Sequence, residues 1–269
     1  MITFAEPASM PARRDPGRLT TTTIFVRRSV LHSLREVDAL IMAIAMPVML
    51  MLLFVFVFGG ALEPGGGYVD YVVPGIILLC AGFGASGTAI SVAHDMTHGV
   101  IDRFRTMPIA SGAVITGHVV ASLVRNLVTT AVVIMVALLV GFRPTAGPLA
   151  WLAAITLIAL WILAITWLFA ALGVAAKNPE AADGYGFALM FLPYLSSAFV
   201  PTETMPAGLR WIADHQPITP IIETIRGLLL GTDYGNQPVW AVGWCLLIMV
   251  GAIVWTGWLF RRRPDRRQG

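Results

Sequence analysis

Residues 149–176 read LAWLAAITLIALWILAITWLFAALGVAA, a run without a single charged side chain. A helix needs roughly 20 apolar residues to cross a hydrocarbon core about 30 Å thick. This run exceeds that length and has almost no polar face, so it reads as a membrane-spanning helix. Working outward, comparable stretches recur on both sides. They place six spans at roughly 40–62, 72–93, 112–140, 149–176, 183–200 and 239–260.

The bulk composition agrees. Of 269 residues, 57% are hydrophobic and only 12% charged, with a mean hydropathy of +0.78. So little charge cannot cover a water-soluble globule of this length, and a disordered chain needs low hydrophobicity and high charge. A polytopic membrane protein remains. No stretch between the spans is long enough for an independent soluble domain, so any energy source must reside on another polypeptide.

The net charge of +3 is distributed as a topology signal. Arg13, Arg14, Arg18, Arg27, Arg28, Arg35, Arg103, Arg105, Lys177 and Arg261 to Arg267 fall on one side of the expected membrane, against Arg143, Arg210 and Arg226 on the other. Basic residues mark the cytoplasmic side, so both termini are expected in the cytoplasm. Short basic flanks of this kind do not suggest a nucleic-acid partner. Cys80 and Cys245 lie within apolar runs and read as small hydrophobes. The amino terminus lacks the apolar core of a cleavable signal peptide.

Residues 1–23 are rich in Pro, Arg and Thr and read as a flexible tail, and 261–269 as a basic tail. Between 24 and 38, Ile24, Val30, Leu31, Leu34 and Val37 form an apolar stripe opposite Arg27, Arg28, Arg35 and Glu36. That pattern predicts a helix lying in the headgroup plane. The third span starts with polar turns, and its length suggests that Arg125 sits near the inner headgroups.

Two loops differ from the rest. In the inner loop, Val100, Ile101, Phe104 and Met107 share one side of a short helix, Asp102, Arg103 and Arg105 face away, and Pro108 ends it. The outer segment Pro201 to Pro238 contains two apolar pieces, Leu209–Ala213 and Ile218–Leu230. They are too short, or too broken by Pro217 and Pro220, to span, and read as re-entrant or interfacial helices.

Enzymatic patterns are weak by comparison. His94-Asp95-Met96-Thr97-His98 resembles the HExxH of zinc proteases, yet Asp replaces the general-base Glu and no third ligand is evident. Gly84-Ala85-Ser86-Gly87 resembles the serine motif of rhomboid proteases, but no histidine lies in the interior of another span to activate Ser86. An intramembrane protease built on Ser86, or on His94, Asp95 and His98, is thus the weaker alternative. The sequence contains no G-x-x-x-x-G-K-[ST] phosphate loop. Neither a catalytic site, a bound metal nor a cofactor is expected on this chain.

Three stretches carry a family resemblance. Asp95 followed by Gly99-Val100-Ile101-Asp102-Arg103-Phe104-Arg105-Thr106-Met107-Pro108 is the first, and Lys177-Asn178-Pro179-Glu180-Ala181 the second. The third runs from Leu192-Pro193 through Pro201, Pro206, Pro217, Glu223 and Arg226 to Gly231. Together they resemble the permease subunits of the second ABC exporter class, especially the daunorubicin/doxorubicin-resistance type. Thr97 stands where many relatives carry Glu.

The resemblance implies an all-α membrane protein of the bacterial plasma membrane: six transmembrane helices with an N-terminal interfacial helix, a cytoplasmic coupling helix and extracellular re-entrant helices. It implies a half-transporter spanning 24–260 that pairs with a second permease copy or paralogue, contacts membrane lipids and docks a cytoplasmic ABC ATPase, which holds the ATP. Asp95, Gly99, Asp102, Arg103, Phe104, Arg105, Met107 and Pro108 would form the ATPase-coupling element. Pro201, Pro206, Pro217, Glu223 and Arg226 would form the exit region, with Glu223 and Arg226 spaced to pair on one helix face. Trp161, Trp167, Phe187, Phe191 and Tyr194 suit an amphipathic drug or lipid as cargo. Polysaccharide or lipid-linked glycan export is the alternative within the class.

Overall fold

A computed structural model describes residues 37–62, 67–98 and 112–262. Among them the chain is helical, with no strand. The first helix, α1 (Val37–Leu52), runs on through a π-helical stretch, Leu53–Phe58, and a short turn, Gly59–Leu62. There follow α2 (Tyr68–Thr97), α3 (Gly112–Val140), α4 (Pro148–Ala175) and α5 (Pro179–Met190). Two short helices, α6 (Ala207–His215) and α7 (Ile218–Leu230), precede α8 (Gln237–Arg262). Five helices are long and apolar enough to cross a membrane: Leu40–Leu62, Tyr68–Thr97, Ile115–Val140, Pro148–Ala175 and Gln237–Leu259.

Most of the interfacial stretch 24–38 and nearly all of both tails lie outside the described residues, and Val37 and Asp38 already belong to α1. The spans expected at 40–62, 112–140, 149–176 and 239–260 form where their apolar runs lie, within a few residues. The second is longer than expected, because its polar ends, Tyr68 to Tyr71 and His94 to Thr97, stay helical.

The expected continuous fifth span at 183–200 does not form. Instead α5 stops at Met190, Leu192–Leu195 forms a single 3-10 turn, and no regular helix covers 196–201. At 1.5 Å per residue α5 is about 18 Å long, well short of a bilayer. Pro193 has no N–H to continue the ladder. The freed backbone groups find side-chain partners instead. Gln216 Nε2 donates to Leu195 O, Ala198 N to Ser196 Oγ (3.2 Å), and Ser197 N to Thr219 Oγ1 (3.4 Å).

This broken segment still runs along α2 from one end of the bundle towards the other. Gly186 lies against Ser86, Ala198 against Gly75, and Phe199 O accepts from Tyr68 Oη at 2.7 Å. Gly75 is required here, since a Cβ on it would lie 2.6 Å from that of Ala198.

Helix α2 is the most enclosed of the long helices, while α1 and α8 leave most of their surface uncovered. It packs on α4 and α3, and Val72, Ile76, Leu79, Ile162, Phe169 and Ile221 belong to one continuous core. On α7, Ile218, Ile221, Ile222, Ile225 and Leu229 are all buried against α2, α4 and α8. This segment is therefore a core element despite its thirteen residues.

The loops at one end of the bundle are tied together. Arg143 N donates to the Asp70 carboxylate (2.9 Å), and Thr145 N to Leu229 O (2.9 Å). Gly231 ends α7 with a φ of 73°, a left-handed turn that favours glycine. We call this the capped end. Thr97, Gly112, Ala175 and Arg262 lie at the opposite end.

Candidate functional site

Three arrangements gather the chemistry-bearing side chains: a polar seam between α2 and α3, a buried arginine at the capped end, and a row of aromatic rings on α5.

The seam follows from antiparallel packing of α2 and α3. Cys80 Sγ meets Thr129 Oγ1 (3.8 Å) and Thr130 Oγ1 (3.9 Å), Arg125 donates to Gly84 O (3.0 Å), and His118 Nε2 lies 2.8 Å from Asp95 Oδ2. Asn126 is fully buried directly over Gly84, where any Cβ would fall 1.5 Å from its Oδ1. Polar contacts of this kind join helices where lipid provides no hydrophobic drive. Arg125 reaches α2 at Gly84, about 20 Å of helix rise from Thr97.

At the opposite end the seam brackets residues 99–111. Of the expected coupling residues, Asp95 is described, while Gly99, Asp102, Arg103, Phe104, Arg105, Met107 and Pro108 lie outside the described residues. Asp95 belongs to the last turns of α2, and His118 reaches it from the second turn of α3. The contact therefore ties together the ends of α2 and α3 that flank residues 99–111. His118 was visible in the sequence only as one of several polar residues opening the third span.

The protease-like patterns adopt other geometries. The His94 and His98 rings stack at 4.0 Å, and His98 Nδ1 bonds back to His94 O (2.9 Å), while Asp95 turns to His118. No group of three His, Cys, Asp or Glu side chains suited to a metal ion occurs among the described residues. Ser86 Oγ donates to Phe83 O (2.9 Å) within its own helix.

At the capped end, Glu223 and Arg226 lie on successive turns of α7 and are in direct contact. Arg226 is only 6% exposed. Its guanidinium lies over the Tyr71 ring (3.9 Å to the centroid) and donates to Tyr71 O (3.0 Å) and Ser197 O (2.8 Å). One side chain thus holds α7, the first turn of α2 and the broken segment together. Its burial was not legible in the sequence, where the residue falls in a loop between spans. Pro201, Pro206 and Pro217 each stand immediately before a helical turn: Thr202–Thr204, α6 and α7 respectively. Their fixed φ suits a helix start, where a missing N–H costs nothing.

The third arrangement is a ladder of rings. Phe187 meets Phe191 edge-on (5.1 Å), and Phe191 approaches Tyr194 (6.3 Å). Tyr194 stacks on Phe199 (5.2 Å), and Phe199 on Phe54 of the π-helical stretch after α1 (4.2 Å). Phe187, Phe191 and Tyr194 are exposed. Trp161, by contrast, is buried in the core. Helix α1 exposes Met42, Met46 and Met49, and its π-helical continuation exposes Leu53 and Phe56.

Comparison with known proteins matches this architecture to a family. The family described as ABC-2 type transporter matches residues 20–230. The chain is 32% identical over 253 residues to the daunorubicin resistance ABC transporter permease protein DrrB1 of Streptomyces coeruleorubidus, covering 93% of this chain and 87% of that one. It is 23% identical over 267 residues to the probable doxorubicin resistance ABC transporter permease protein DrrC of Mycobacterium tuberculosis, covering 95% and 92%. The chain belongs to the ABC-2 type transporter family, as a multi-pass membrane permease homologous to drug-resistance permeases.

Proposed function

We propose that this chain is the membrane half of an exporter for hydrophobic or amphipathic molecules, drug or lipid, powered by a separate cytoplasmic ABC ATPase. The observation that carries this reading is the uncovered aromatic ladder, set in a chain homologous to resistance permeases along nearly its whole length. A row of exposed rings is adaptable to apolar cargo.

In this reading the broken segment 179–201 is the fifth of six crossings, both termini are cytoplasmic, and the capped end faces outward. Helices α6 and α7 are the re-entrant pair. The exposed stripe of α1 receives a second permease copy, and α8 faces lipid. This chain binds no cofactor; ATP stays on its partner.

Coupling follows from the seam. The ATPase would seat the loop helix at 99–108, with Asp102, Arg103 and Arg105 making charge pairs and Phe104 and Met107 filling an apolar pocket. Because α2 and α3 are joined at Asp95–His118, Gly84–Arg125 and Cys80–Thr129, a push on that loop moves them together. The movement reaches Tyr71 at the far end of α2, where Arg226 holds the exit closed.

The test is co-expression with the ATPase subunit and ATP-driven uptake of a lipophilic fluorescent probe into inside-out vesicles. R103E and R105E should each abolish uptake and reduce ATPase co-purification. Normal assembly and uptake in both variants would overturn the coupling assignment, and no ATP-driven uptake by the wild type of any apolar probe would overturn the export reading.

A further inference from the structure

We infer that Asp183 is a specificity-determining residue that selects cationic amphiphiles for the aromatic ladder. This rests on the export reading above.

Asp183, Phe187 and Phe191 follow one another at intervals of four along α5, and Tyr194 continues the line on the 3-10 turn beyond. Such spacing sets side chains above one another on one helix face, about 6 Å apart per step. All four are exposed, whereas Ala182 and Gly186 form the buried side of the helix. A carboxylate and three rings therefore share a single uncovered line.

A structural role does not account for the carboxylate. The helix start is already served, since Asn178 Oδ1 accepts from Ala181 N at 2.9 Å and Glu180 supplies the acidic residue of the first turn. Asp183 lies beyond that turn, where the helix-dipole benefit fades. Among the described residues it has no ion-pair partner. An exposed carboxylate one helix step from a row of exposed rings joins a charge site to an apolar platform on one face.

The complementary ligand has one positive charge and an apolar, preferably aromatic body. Its charge sits against Asp183 while its body lies on Phe187 and Phe191, whose ring faces also attract cations. The exposed Glu180, one turn earlier, adds negative potential at the same entrance.

Tetraphenylphosphonium and tetraphenylborate, alike in size and shape but opposite in charge, separate this proposal from the reading beneath it. ATP-driven movement of each is measured in vesicles holding the permease with its ATPase. The wild type should favour the cation, and D183N should reduce that preference about tenfold, the scale of one partly hydrated charge pair. D183E should preserve it, and F187A should weaken handling of both probes. ATPase co-purification with D183N confirms an assembled complex.

An unchanged cation preference in assembled D183N overturns the role of Asp183 while leaving export standing. Failure of the wild type to move either probe instead overturns the export reading and this inference with it. Adding phosphatidylethanolamine to phosphatidylglycerol vesicles distinguishes sources of the charge. Competition with the cation in the wild type but not in D183N identifies an amine headgroup as the resident ligand, and no competition identifies a free amphiphile.

Discussion

Arg226 grips Tyr71 twice, its guanidinium lying 3.9 Å from the centre of the ring while donating to the same residue's carbonyl at 3.0 Å. The two residues stand 155 positions apart, so the contact fastens the re-entrant segment to the start of the most enclosed helix. Replacing Arg226 by Met leaves Glu223 without its partner, takes the donor from Ser197 O and removes the second donor to Tyr71 O. Removing one member of a buried ion pair costs about 3–5 kcal/mol. The lower end applies, since the Glu223 side chain keeps 31% of its surface exposed. Lys retains the charge but not the planar fork, so R226K should fall between. Thermal unfolding in detergent, followed by tryptophan fluorescence, ranks the three, and equal stability of R226M and wild type would refute the arrangement.

Gly84 carries no side chain because Asn126 occupies the space. G84A should destabilise the protein by about 1–3 kcal/mol through overpacking, and most of that loss should vanish when measured against N126A. A double-mutant cycle reads the coupling directly. Additive losses would show that the two positions do not meet.

The Asp95–His118 contact predicts an effect away from its own location. H118L should lower stability by about 1 kcal/mol, the scale of a partly exposed hydrogen bond. It should also reduce ATPase co-purification, because the base of the 99–111 loop is released. H118Q, which can still donate to the carboxylate, should retain the partner. Equal retention by H118L and wild type would mean that the loop is positioned by something else.

Gln216 answers the Leu195 carbonyl, which lies where helix α5 and its 3-10 continuation have ended. Q216L should cost about 1 kcal/mol, the scale of a part-buried hydrogen bond. Q216E should cost less if it is protonated in place, since a carboxylic acid still has a proton to give. A Q216L protein as stable as wild type would show that Leu195 O is satisfied elsewhere.

The long helices were legible because hydropathy is a property of composition, and Gly112–Val140 or Pro148–Ala175 need no tertiary information to be recognised. The stretch 183–200 is apolar enough to read as a span, but its backbone course depends on Pro193 and on Gln216 and Thr219, which lie further along the chain. The proline was a visible signal; its partners were not. The Glu223–Arg226 spacing was readable as a helix pair, whereas the burial of Arg226 depends on Tyr71 and Ser197, which no local pattern connects to it. Asp183 stood at the edge of an apolar run, and only the exposed line it shares with Phe187 and Phe191 separates it from an ordinary helix start.

The brevity of α5 also bears on how the protein is made. Twelve residues that include a carboxylate are a weak signal for the insertion machinery. The preceding helix, long and uncharged, is a strong one, and only Ala176, Lys177 and Asn178 separate the two. In the proposed six-crossing topology, helix α5 enters the bilayer as the passenger of α4, as one arm of a helical hairpin. The Arg226 contacts, which need α2, the broken segment and α7 all in place, can close only after that entry. Biogenesis thus ends where the folded molecule is most tightly fastened.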